Sequence, residues 1–369
     1  MKIVIVVGTR PNFMKVAPIL AALRQHPKRF TPYLVHTGQH YDYRMSEVFF
    51  KDLGMPPPDA YLDAEKAAPV VQNADIMRKF APLLENEKPD LVVVAGDVTS
   101  TLACTITAVM LHIPVAHVEA GLRSRDRSMP EELTRLATDA LADMLFTYSA
   151  NADANLLAEN VPSASIFRIG NLMIDTLVGL KPRAAASPIL DKLELTPQGY
   201  GLVTLHRPAN VDQPGPLSKI LQALGEIQQR LPLVFQIHPR TKKNIETFGL
   251  AQQLSQMANV QLLEPQGYID FLRLQQDARL ALVDSGGIQE ETTVLGVPCL
   301  TLRDNTERPE TITVGTNLLV GTRPQPIVEA AFKVLDGHAK QGFIPDLWDG
   351  RSAERLVAVL QQGVVHRAH

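Results

Sequence analysis

The sequence predicts an α/β protein of two doubly wound domains that face each other across a cleft. Short apolar runs rich in β-branched residues alternate with helix-length mixed segments, and this alternation occurs in two blocks. The runs are continuously apolar, which is typical of strands buried on both faces of a parallel sheet. The chain has 369 residues, a length that suits roughly two domains. Strand–helix alternation in two blocks therefore favours two parallel sheets covered by helices.

The first domain is predicted to span residues 1–170. Its strands are placed in the apolar runs Ile3–Val7, Tyr33–His36, Leu91–Ala95, Val115–Val118, Leu145–Tyr148 and Ile166–Ile169. Its helices are placed in the mixed segments Phe13–Arg24, Val71–Leu84 and Glu131–Ala142.

The second domain is predicted to span residues 171–352, where the pattern restarts after the polar, proline-bearing stretch Lys181–Pro197. Its strands are Leu202–Leu205, Leu233–Ile237, Val260–Leu263, Ala281–Val283, Cys299–Leu302 and Leu318–Val320. Its helices include Leu217–Leu231 and Phe271–Arg279. The final helix-like segment, within residues 353–369, could pack back on the first domain or stay with the second.

Composition and charge narrow the class of protein. Hydrophobic residues make up 45% of the chain, which is ordinary for a globular protein with a core. The net charge of −3 argues against a nucleic-acid partner or an anionic membrane surface. Cys104 and Cys299 lie in apolar surroundings and are expected to be reduced thiols. The first residues resemble a strand rather than a signal peptide, and no apolar run approaches the ~18 residues of a membrane span. A cytoplasmic protein is expected.

Polar residues follow directly after the predicted strands, where parallel sheets bind their ligands. The first-half strands are followed by Gly8-Thr9-Arg10-Pro11, Thr37-Gly38-Gln39-His40, Gly96-Asp97 and Glu119. The second-half strands are followed by His206-Arg207, His238-Pro239-Arg240 and Asp284-Ser285-Gly286-Gly287.

The segment from Ser285 to Gly287 predicts a phosphate site at a helix N-terminus. Glycine lets the backbone approach a ligand closely, and a helix start attracts anions. Glu290 or Glu291, one turn on, could bind sugar hydroxyls, although both acids would also suit a simply capped helix. Several basic residues at the other strand ends make a diphosphate the better interpretation. These are Arg10, Lys15, Arg207 and Arg240.

Three acids and two histidines are candidates for the chemistry. Asp97, Glu119 and Glu131 could transfer protons if they reach one cleft, although Asp97 also suits a helix cap and Glu131 an ordinary first-turn acid. His206 and His238 occupy parallel positions and could contact phosphate oxygens or a leaving group. The sequence has no Walker A loop, no G-x-G-x-x-G, no H-E-x-x-H and no C-x-x-C, so neither a nicotinamide cofactor nor a metal is implied.

Six segments resemble the non-hydrolysing UDP-N-acetylglucosamine 2-epimerases, in order over most of the chain. They are GTRPNFMKVAP, GDVTSTLA, HVEAGLRS, PEELTR, DSGGIQEE and RDNTERPE. The resemblance implies a Rossmann-like two-domain fold of the glycosyltransferase B type and a UDP-sugar substrate. It also implies a homodimer, and no added cofactor. It implies epimerisation at carbon 2, in which UDP is eliminated to leave a bound 2-acetamidoglucal and then re-added.

The resemblance also assigns residues to roles. It implies that the catalytic residues are Asp97, Glu119, Glu131 and His206. It implies that the substrate is bound by Arg10, Lys15, His238, Phe271, Ser285, Gly286, Gly287, Glu291 and Arg308, with Phe271 near the uracil and the second domain binding UDP.

The sequence departs from the family pattern at a few positions. Asn12 stands where many bacterial members have an acid, and Asp42 stands where substrate-activated members have a glutamine. Allosteric activation by the substrate is therefore not expected. The alternatives are an epimerase of a related 2-acetamido UDP-sugar, a UDP-sugar-dependent glycosyltransferase, a hydrolysing relative, and a non-catalytic UDP-sugar sensor. The intact acids argue against the sensor.

Overall fold

The structure is a computed structural model that describes residues 1–38, 50 and 52–366, the side chains of Arg10 and Pro11 excepted. The predicted strand-end residues Gln39 and His40, and the departure at Asp42, lie outside the described residues. The chain divides into two compact units. Unit 1 comprises Met1–Gly179 and Asp346–His369, and unit 2 comprises Leu180–Pro345.

Unit 1 contains a seven-stranded parallel sheet in the order β3-β2-β1-β4-β5-β6-β7. Its strands are β1 (Lys2–Val7), β2 (Thr31–His36), β3 (Ala60–Tyr61), β4 (Leu91–Ala95), β5 (Val115–Val118), β6 (Met144–Thr147) and β7 (Ile166–Arg168). Its helices are α1 (Arg10–Arg24), α2 (Pro69–Glu87), α3 (Thr99–Met110), α4 (Pro130–Leu141), α5 (Ala150–Ala158) and α6 (Leu172–Ala185), with a 3₁₀ turn at Ser163–Ser165. The unit boundary falls within α6, after the predicted division at residue 170.

Unit 2 contains a six-stranded parallel sheet in the order β10-β9-β8-β11-β12-β13. Its strands are β8 (Gly201–Thr204), β9 (Leu233–Gln236), β10 (Val260–Leu263), β11 (Leu280–Val283), β12 (Cys299–Thr301) and β13 (Asn317–Leu319). Its helices are α7 (Ile189–Lys192), α8 (Pro208–Val211), α9 (Pro214–Ile227), α10 (Pro239–Thr247), α11 (Ala251–Ser255), α12 (Tyr268–Gln276), α13 (Gly286–Leu295), α14 (Pro309–Thr313) and α15 (Pro324–Leu335).

The inner strands β8 and β9 of unit 2 are buried on both faces of the sheet. Val203 and Phe235 belong to one hydrophobic cluster, whereas their chain neighbours Leu202 and Val234 belong to another. Successive side chains of a strand point to opposite faces, so two separate clusters show that helices cover both sides of this sheet. This doubly wound arrangement confirms the predicted α/β fold class, and every predicted strand is present.

Two local predictions need correction. The two-residue strand β3 was missed, because two residues are too few for an apolar run. The stretch Lys181–Pro197 is not a plain break in the pattern, since the end of α6 and all of α7 lie within it.

The C-terminal helix α16 (Ser352–Leu360) packs on α1 within unit 1. Asp175 of α6 accepts hydrogen bonds from the backbone N–H groups of Ser352 and Ala353 at 3.0 and 2.7 Å, and thereby caps the start of α16. Gly170 has a φ of +97°, and a Cβ there would lie 2.1 Å from the carbonyl oxygen of Leu347.

No helix within the described residues is long and apolar enough to cross a membrane.

Candidate active site

Glu119 and Lys15 form a buried ion pair at the carboxyl ends of β4 and β5. Lys15 lies one turn into α1, and its Nζ contacts Oε2 of Glu119. A Cβ on Gly96 would lie 2.9 Å from Lys15 Nζ and 3.6 Å from Glu119 Oε2, so a glycine leaves room for the pair. Glu119 itself has a φ of +70°. A non-glycine residue in this region stores backbone strain of order 1 kcal/mol, as functional residues often do.

Asn12 fixes the start of α1 against the end of β4. Its side chain is buried, its Oδ1 accepts from the backbone N–H of Thr9 at 3.1 Å, and its Nδ2 donates to the Ala95 carbonyl at 2.6 Å. The second bond crosses from the helix to the strand and so places Lys15 beside Gly96. An acid at position 12 could not donate this bond when ionised. The departure from the family pattern therefore has a structural use here.

Asp97 is held by one basic residue and remains partly exposed. Its Oδ2 accepts from Nη1 of Arg135 at 2.5 Å, and its side chain is 30% exposed. Arg135 lies on α4 with its guanidinium almost fully buried. The arrangement gives Asp97 a fixed basic partner and leaves its side chain able to reach a ligand.

The neighbouring acids Glu131 and Glu132 have different environments in the first turn of α4. Glu131 is half-buried, whereas Glu132 is buried and accepts from Arg135 and from the backbone N–H groups of Ser124 and Arg125. Burial alone would raise the pKa of Glu132, but these hydrogen bonds outweigh it and lower the pKa. Glu132 is thus a structural acid, and Glu131 is the acid of the pair that a ligand can reach.

A buried network centred on Asp139 supports the same strand ends. Nδ1 of His117 lies 2.6 Å from Asp139, and its Nε2 lies 2.9 Å from the Gly96 carbonyl. The other carboxylate oxygen accepts from the Gly121 N–H at 3.0 Å and from Arg123 at 2.7 Å. Burial would raise the pKa of Asp139, but His117 and Arg123 lower it. The network fixes the loops that carry Asp97 and Glu119.

In unit 2, the buried carboxylate of Asp284 organises the loop after β8. It accepts from the backbone N–H groups of His206 and Arg207 at 3.0 and 2.9 Å, and from Asn210 at 3.1 Å. It also lies 3.0 Å from Nδ1 of His206. Burial would raise the pKa of Asp284, but the imidazole of His206 and the backbone donors lower it. The carboxylate therefore orients His206, whose ring stays partly exposed.

His206 and His238 lie side by side, with ring centroids 6.0 Å apart. Nδ1 of His238 accepts from the Arg240 N–H at 3.2 Å and caps α10. Burial, and the nearby His206 and Arg240, lower the pKa of His238. The guanidinium of Arg240 forms an ion pair with Asp212. The two predicted histidines are brought together, while Arg240 is directed to a carboxylate of its own unit.

Arg308 lies against the N-terminus of α13. Ser285 occupies the N-cap position, but its hydroxyl makes no capping hydrogen bond within the described part of the chain. A Cβ on Gly286 would lie 2.6 Å from Nη1 of Arg308, so this glycine lets the guanidinium approach the helix start. A cation beside the free N–H groups of a helix is a favourable place for an anion.

Two buried glutamates hold the arginines of this region. Glu290 pairs with Nε of Arg308 at 2.7 Å. Glu307 contacts Arg207, Arg303 and Arg308 at 3.3, 2.9 and 3.0 Å. Burial would raise the pKa of Glu307, but Arg308, Arg303 and Arg207 together lower it well below its usual range. Three guanidinium groups are thus held around two carboxylates in this region.

Glu291 has a different environment from Glu290. Its two oxygens accept from the Tyr268 hydroxyl at 2.8 Å and from Gln275 at 3.0 Å. Burial is the largest effect, and it raises the pKa of Glu291 to about 7, although the bond from Tyr268 acts in the opposite direction. Phe271 is buried in the hydrophobic cluster that also contains Tyr200. The predicted contacts of Glu291 with a sugar and of Phe271 with uracil stay predictions.

The predicted residues are divided between the two units. Lys15 contacts Glu119 in unit 1, and His206 lies beside His238 in unit 2. Unit 1 holds Lys15, Asp97, Glu119 and Glu131, and α1 begins at Arg10. Unit 2 holds His206, His238, Ser285, Gly286, Gly287, Glu291 and Arg308. The prediction missed Arg135, Asp139 and Glu307, which orient the predicted groups. Ion pairs between residues far apart in sequence carry no local signal. The spacing of Glu132 and Arg135 on α4, and the closeness of Glu307 to Arg303 and Arg308 in sequence, could have suggested three of the pairs.

Comparisons with known proteins agree over nearly the full chain. A family model described as UDP-N-acetylglucosamine 2-epimerase matches residues 21–361. The chain is 40% identical over 375 residues to the UDP-N-acetylglucosamine 2-epimerase of Methanocaldococcus jannaschii, covering 98% of this chain and 100% of that protein. It is 41% identical over 335 residues to the UDP-2,3-diacetamido-2,3-dideoxy-D-glucuronate 2-epimerase of Pseudomonas aeruginosa, covering 90% and 91%. A crystal structure of the M. jannaschii enzyme in complex with UDP-GlcNAc and UDP superposes with a TM-score of 0.89 at 39% identity, covering 98% and 100%.

Proposed function

The chain belongs to the UDP-N-acetylglucosamine 2-epimerase family, and we propose that it interconverts UDP-N-acetylglucosamine and UDP-N-acetylmannosamine without hydrolysis. A carboxylate removes the proton on carbon 2 while the bond from carbon 1 to UDP breaks, and UDP leaves with the electron pair. The bound 2-acetamidoglucal then takes a proton on the opposite face of carbon 2, and UDP re-adds to carbon 1. Proton and UDP are both returned, so no oxidant or reductant is needed.

The observation that carries the proposal is the set of acids at the carboxyl ends of β4 and β5. Asp97 pairs with Arg135, Glu119 pairs with Lys15, and Glu131 is half-buried at the start of α4. Inversion of a stereocentre needs proton acceptors and donors on two faces, so more than one carboxylate is useful. We assign the proton transfers to these three acids.

Expulsion of UDP requires strong stabilisation of the departing diphosphate, because no carbonyl group is adjacent to the proton on carbon 2. Unit 2 holds groups in fixed positions that are cationic or can donate hydrogen bonds. They are the N–H groups at the start of α13, the guanidinium of Arg308 and the ring of His206. Preorganised donors of this kind stabilise charge that develops on a leaving group. We assign UDP binding to this unit, with Arg10, Lys15 and His238 as further partners and no cofactor.

A second candidate substrate is a related 2-acetamido UDP-sugar. The P. aeruginosa relative, at 41% identity, has a name that specifies a diacetamido glucuronate. Both substrates share the 2-acetamido group and the UDP leaving group, so the same residues would bind either one.

We also propose that the enzyme acts as a homodimer in the cytoplasm.

Proton NMR in deuterium oxide tests the proposal with the purified protein and UDP-N-acetylglucosamine. Formation of UDP-N-acetylmannosamine with deuterium at carbon 2, and no free sugar, is the expected result. Release of UDP and free N-acetylmannosamine would identify the hydrolysing reaction instead. Absence of exchange with this substrate, but exchange with another 2-acetamido UDP-sugar, would favour the second candidate.

A further inference from the structure

His117 lies inside unit 1, close to two of the acids to which we assign proton transfer. It is the third residue of β5 and precedes Glu119 by two positions, and its side chain is completely buried. β5 pairs with β4 in parallel, and Val94 lies opposite His117. His117 is therefore beside the end of β4, where the chain continues to Asp97.

The imidazole of His117 joins that strand end to α4. Its Nε2 lies 2.9 Å from the carbonyl oxygen of Gly96, and its Nδ1 lies 2.6 Å from Oδ1 of Asp139. A carbonyl oxygen can only accept a hydrogen bond, so Nε2 carries a proton, whichever of Nδ1 and Asp139 holds the proton between them. His117 is thus the donor in its bond with Gly96.

This bond acts at the turn that leads into Asp97. Gly96 has a φ of +71°, which places it in the left-handed region directly after β4. Its own N–H donates to the Val118 carbonyl at 2.9 Å. The peptide bond is planar, so fixing the carbonyl of Gly96 also fixes the N–H of Asp97 and the direction in which the chain continues.

The two carbonyl groups before Asp97 are held to different degrees. The Ala95 carbonyl accepts from Nδ2 of Asn12 at 2.6 Å and from the Thr101 hydroxyl at 3.1 Å. The Gly96 carbonyl accepts from His117 alone among the residues that the structure describes. Loss of one donor therefore leaves the first carbonyl bonded but releases the second.

Asp97 is attached to α4 in two ways. Its carboxylate contacts Arg135 at 2.5 Å, and its backbone is linked through Gly96 and His117 to Asp139. Arg135 and Asp139 lie on the same helix, one turn apart. The side chain of Asp97 and the peptide bond before it are thus both tied to one element, which fixes the position and the direction of the carboxylate.

We propose that His117 is a positioning residue for Asp97: it holds the Gly96 carbonyl so that the carboxylate of Asp97 lies where it can transfer a proton, and it does not touch the substrate itself. The inference rests on the proposed function and adds to it a residue that acts through another. Catalysis is sensitive to such placement, since a displacement of about 1 Å can cost about a hundredfold in rate.

Two substitutions of His117 separate its two bonds. Glutamine places its amide nitrogen near the position of Nε2 and can still donate to Gly96, whereas asparagine places its amide nitrogen near that of Nδ1 and can still donate to Asp139. We expect kcat for epimerisation to fall at least about tenfold in His117→Asn and to stay within about threefold of the wild-type value in His117→Gln. The dissociation constant of UDP, measured by calorimetry, should stay within about twofold in both variants, because His117 is not among the groups to which we assign UDP.

Thr101→Val is the matched control. It removes one donor to the Ala95 carbonyl, but Asn12 still donates to that carbonyl, so we expect an unchanged kcat. Equal kcat values in His117→Asn and His117→Gln, or a larger loss in His117→Gln, would overturn the inference. His117 would then act only as part of the core or through Asp139.

Two further measurements do not depend on turnover. Nitrogen NMR of the imidazole ring, with the signals of His117 identified by their absence in His117→Gln, should show a protonated Nε2 in the wild type, and an unprotonated Nε2 would overturn the inference. Crystal structures should show the contact of Asp97 with Arg135 kept in His117→Gln and lost in His117→Asn, and an identical position of Asp97 in both would also overturn it. Both measurements decide the inference even if the deuterium exchange assay fails, so the two failures can be told apart.

Discussion

Asp97 of unit 1 and Asp284 of unit 2 each lie at the carboxyl end of a parallel strand, but they differ in what surrounds them. Asp97 in unit 1 has one arginine partner and a side chain that is 30% exposed. Asp284, Glu290 and Glu307 in unit 2 are buried and are surrounded by histidine, arginine and backbone N–H groups. The position of an acid at a strand end therefore does not define its role; the number and identity of its partners do.

This difference shows how the same parallel-sheet topology can support both proton transfer and anion binding. An acid with a single partner can exchange a proton with a ligand, because its remaining lone pairs are free of the protein. An acid with three or four partners holds basic groups in place, and those groups can then bind an anion. Under the function proposed above, unit 1 would transfer the protons and unit 2 would bind the diphosphate.

Amide substitutions of the unit 1 acids are expected to give the largest effect. Asp97→Asn, Glu119→Gln and Glu131→Gln should each lower kcat at least about a hundredfold, because each removes a proton-transferring group, while UDP affinity stays near the wild-type value. The NMR assay and calorimetry measure the two quantities. Near-normal turnover in any variant would exclude that residue from the catalytic set.

Glu132→Gln is the contrasting variant for this comparison. It removes a buried carboxylate that pairs with Arg135, so it should lower the free energy of unfolding by about 3 kcal/mol. Chemical denaturation measures this loss. Unchanged stability would show that the buried acids are not structural, and the distinction between Glu131 and Glu132 would fail.

Gly286→Ala is expected to have an intermediate effect that is confined to anion binding. A Cβ at this position would lie 2.6 Å from Nη1 of Arg308 and would displace the guanidinium from the start of α13. UDP affinity should fall about tenfold, which corresponds to about 1.4 kcal/mol. Gly215→Ala on α9 is the control, since a Cβ there meets no atom within 4 Å. Equal UDP affinities in the two variants would refute a diphosphate site at this helix.

Glu291→Gln is expected to give the smallest effect, visible mainly in its pH dependence. Burial raises the pKa of Glu291 to about 7, above the value of about 4.5 for an ordinary glutamate. Its contribution to stability is therefore fully present below pH about 4.5 and is lost as the pH rises through about 7. The stability of the variant relative to the wild type should increase by on the order of 1 kcal/mol between pH 5 and pH 8.

Thermal unfolding at both pH values checks this dependence. The control is Glu264→Gln, a substitution at an exposed residue. Its stability should differ little from that of the wild type at either pH. A difference between Glu291→Gln and the wild type that does not change with pH would argue that Glu291 is ionised throughout.

The fold could be predicted from the sequence almost completely, whereas the environment of the site could not. Two units with parallel sheets follow from apolar runs such as Leu91–Ala95 and Val115–Val118, because a continuously apolar run is typical of a strand buried on both faces. The glycosyltransferase B type was implied by the family resemblance. The position of Asp97 and Glu119 at the ends of strands could be predicted directly from these apolar runs. The ion pairs of Asp97 with Arg135 and of Glu290 with Arg308 did not, since they depend on how helices pack. The left-handed backbone conformation of Glu119 could not be predicted either, because no residue type in the sequence indicates it.

Unit 1 is assembled from both ends of the chain, and this has a consequence for its synthesis. While the chain is being translated, residues 1–179 leave the ribosome long before Ser352 and Ala353 can cap their partner Asp175. Until then the carboxylate lacks its two backbone donors, and α1 lacks the helix that packs on it. Unit 2 is continuous, so it can complete its folding first, and unit 1 is completed only when α16 emerges.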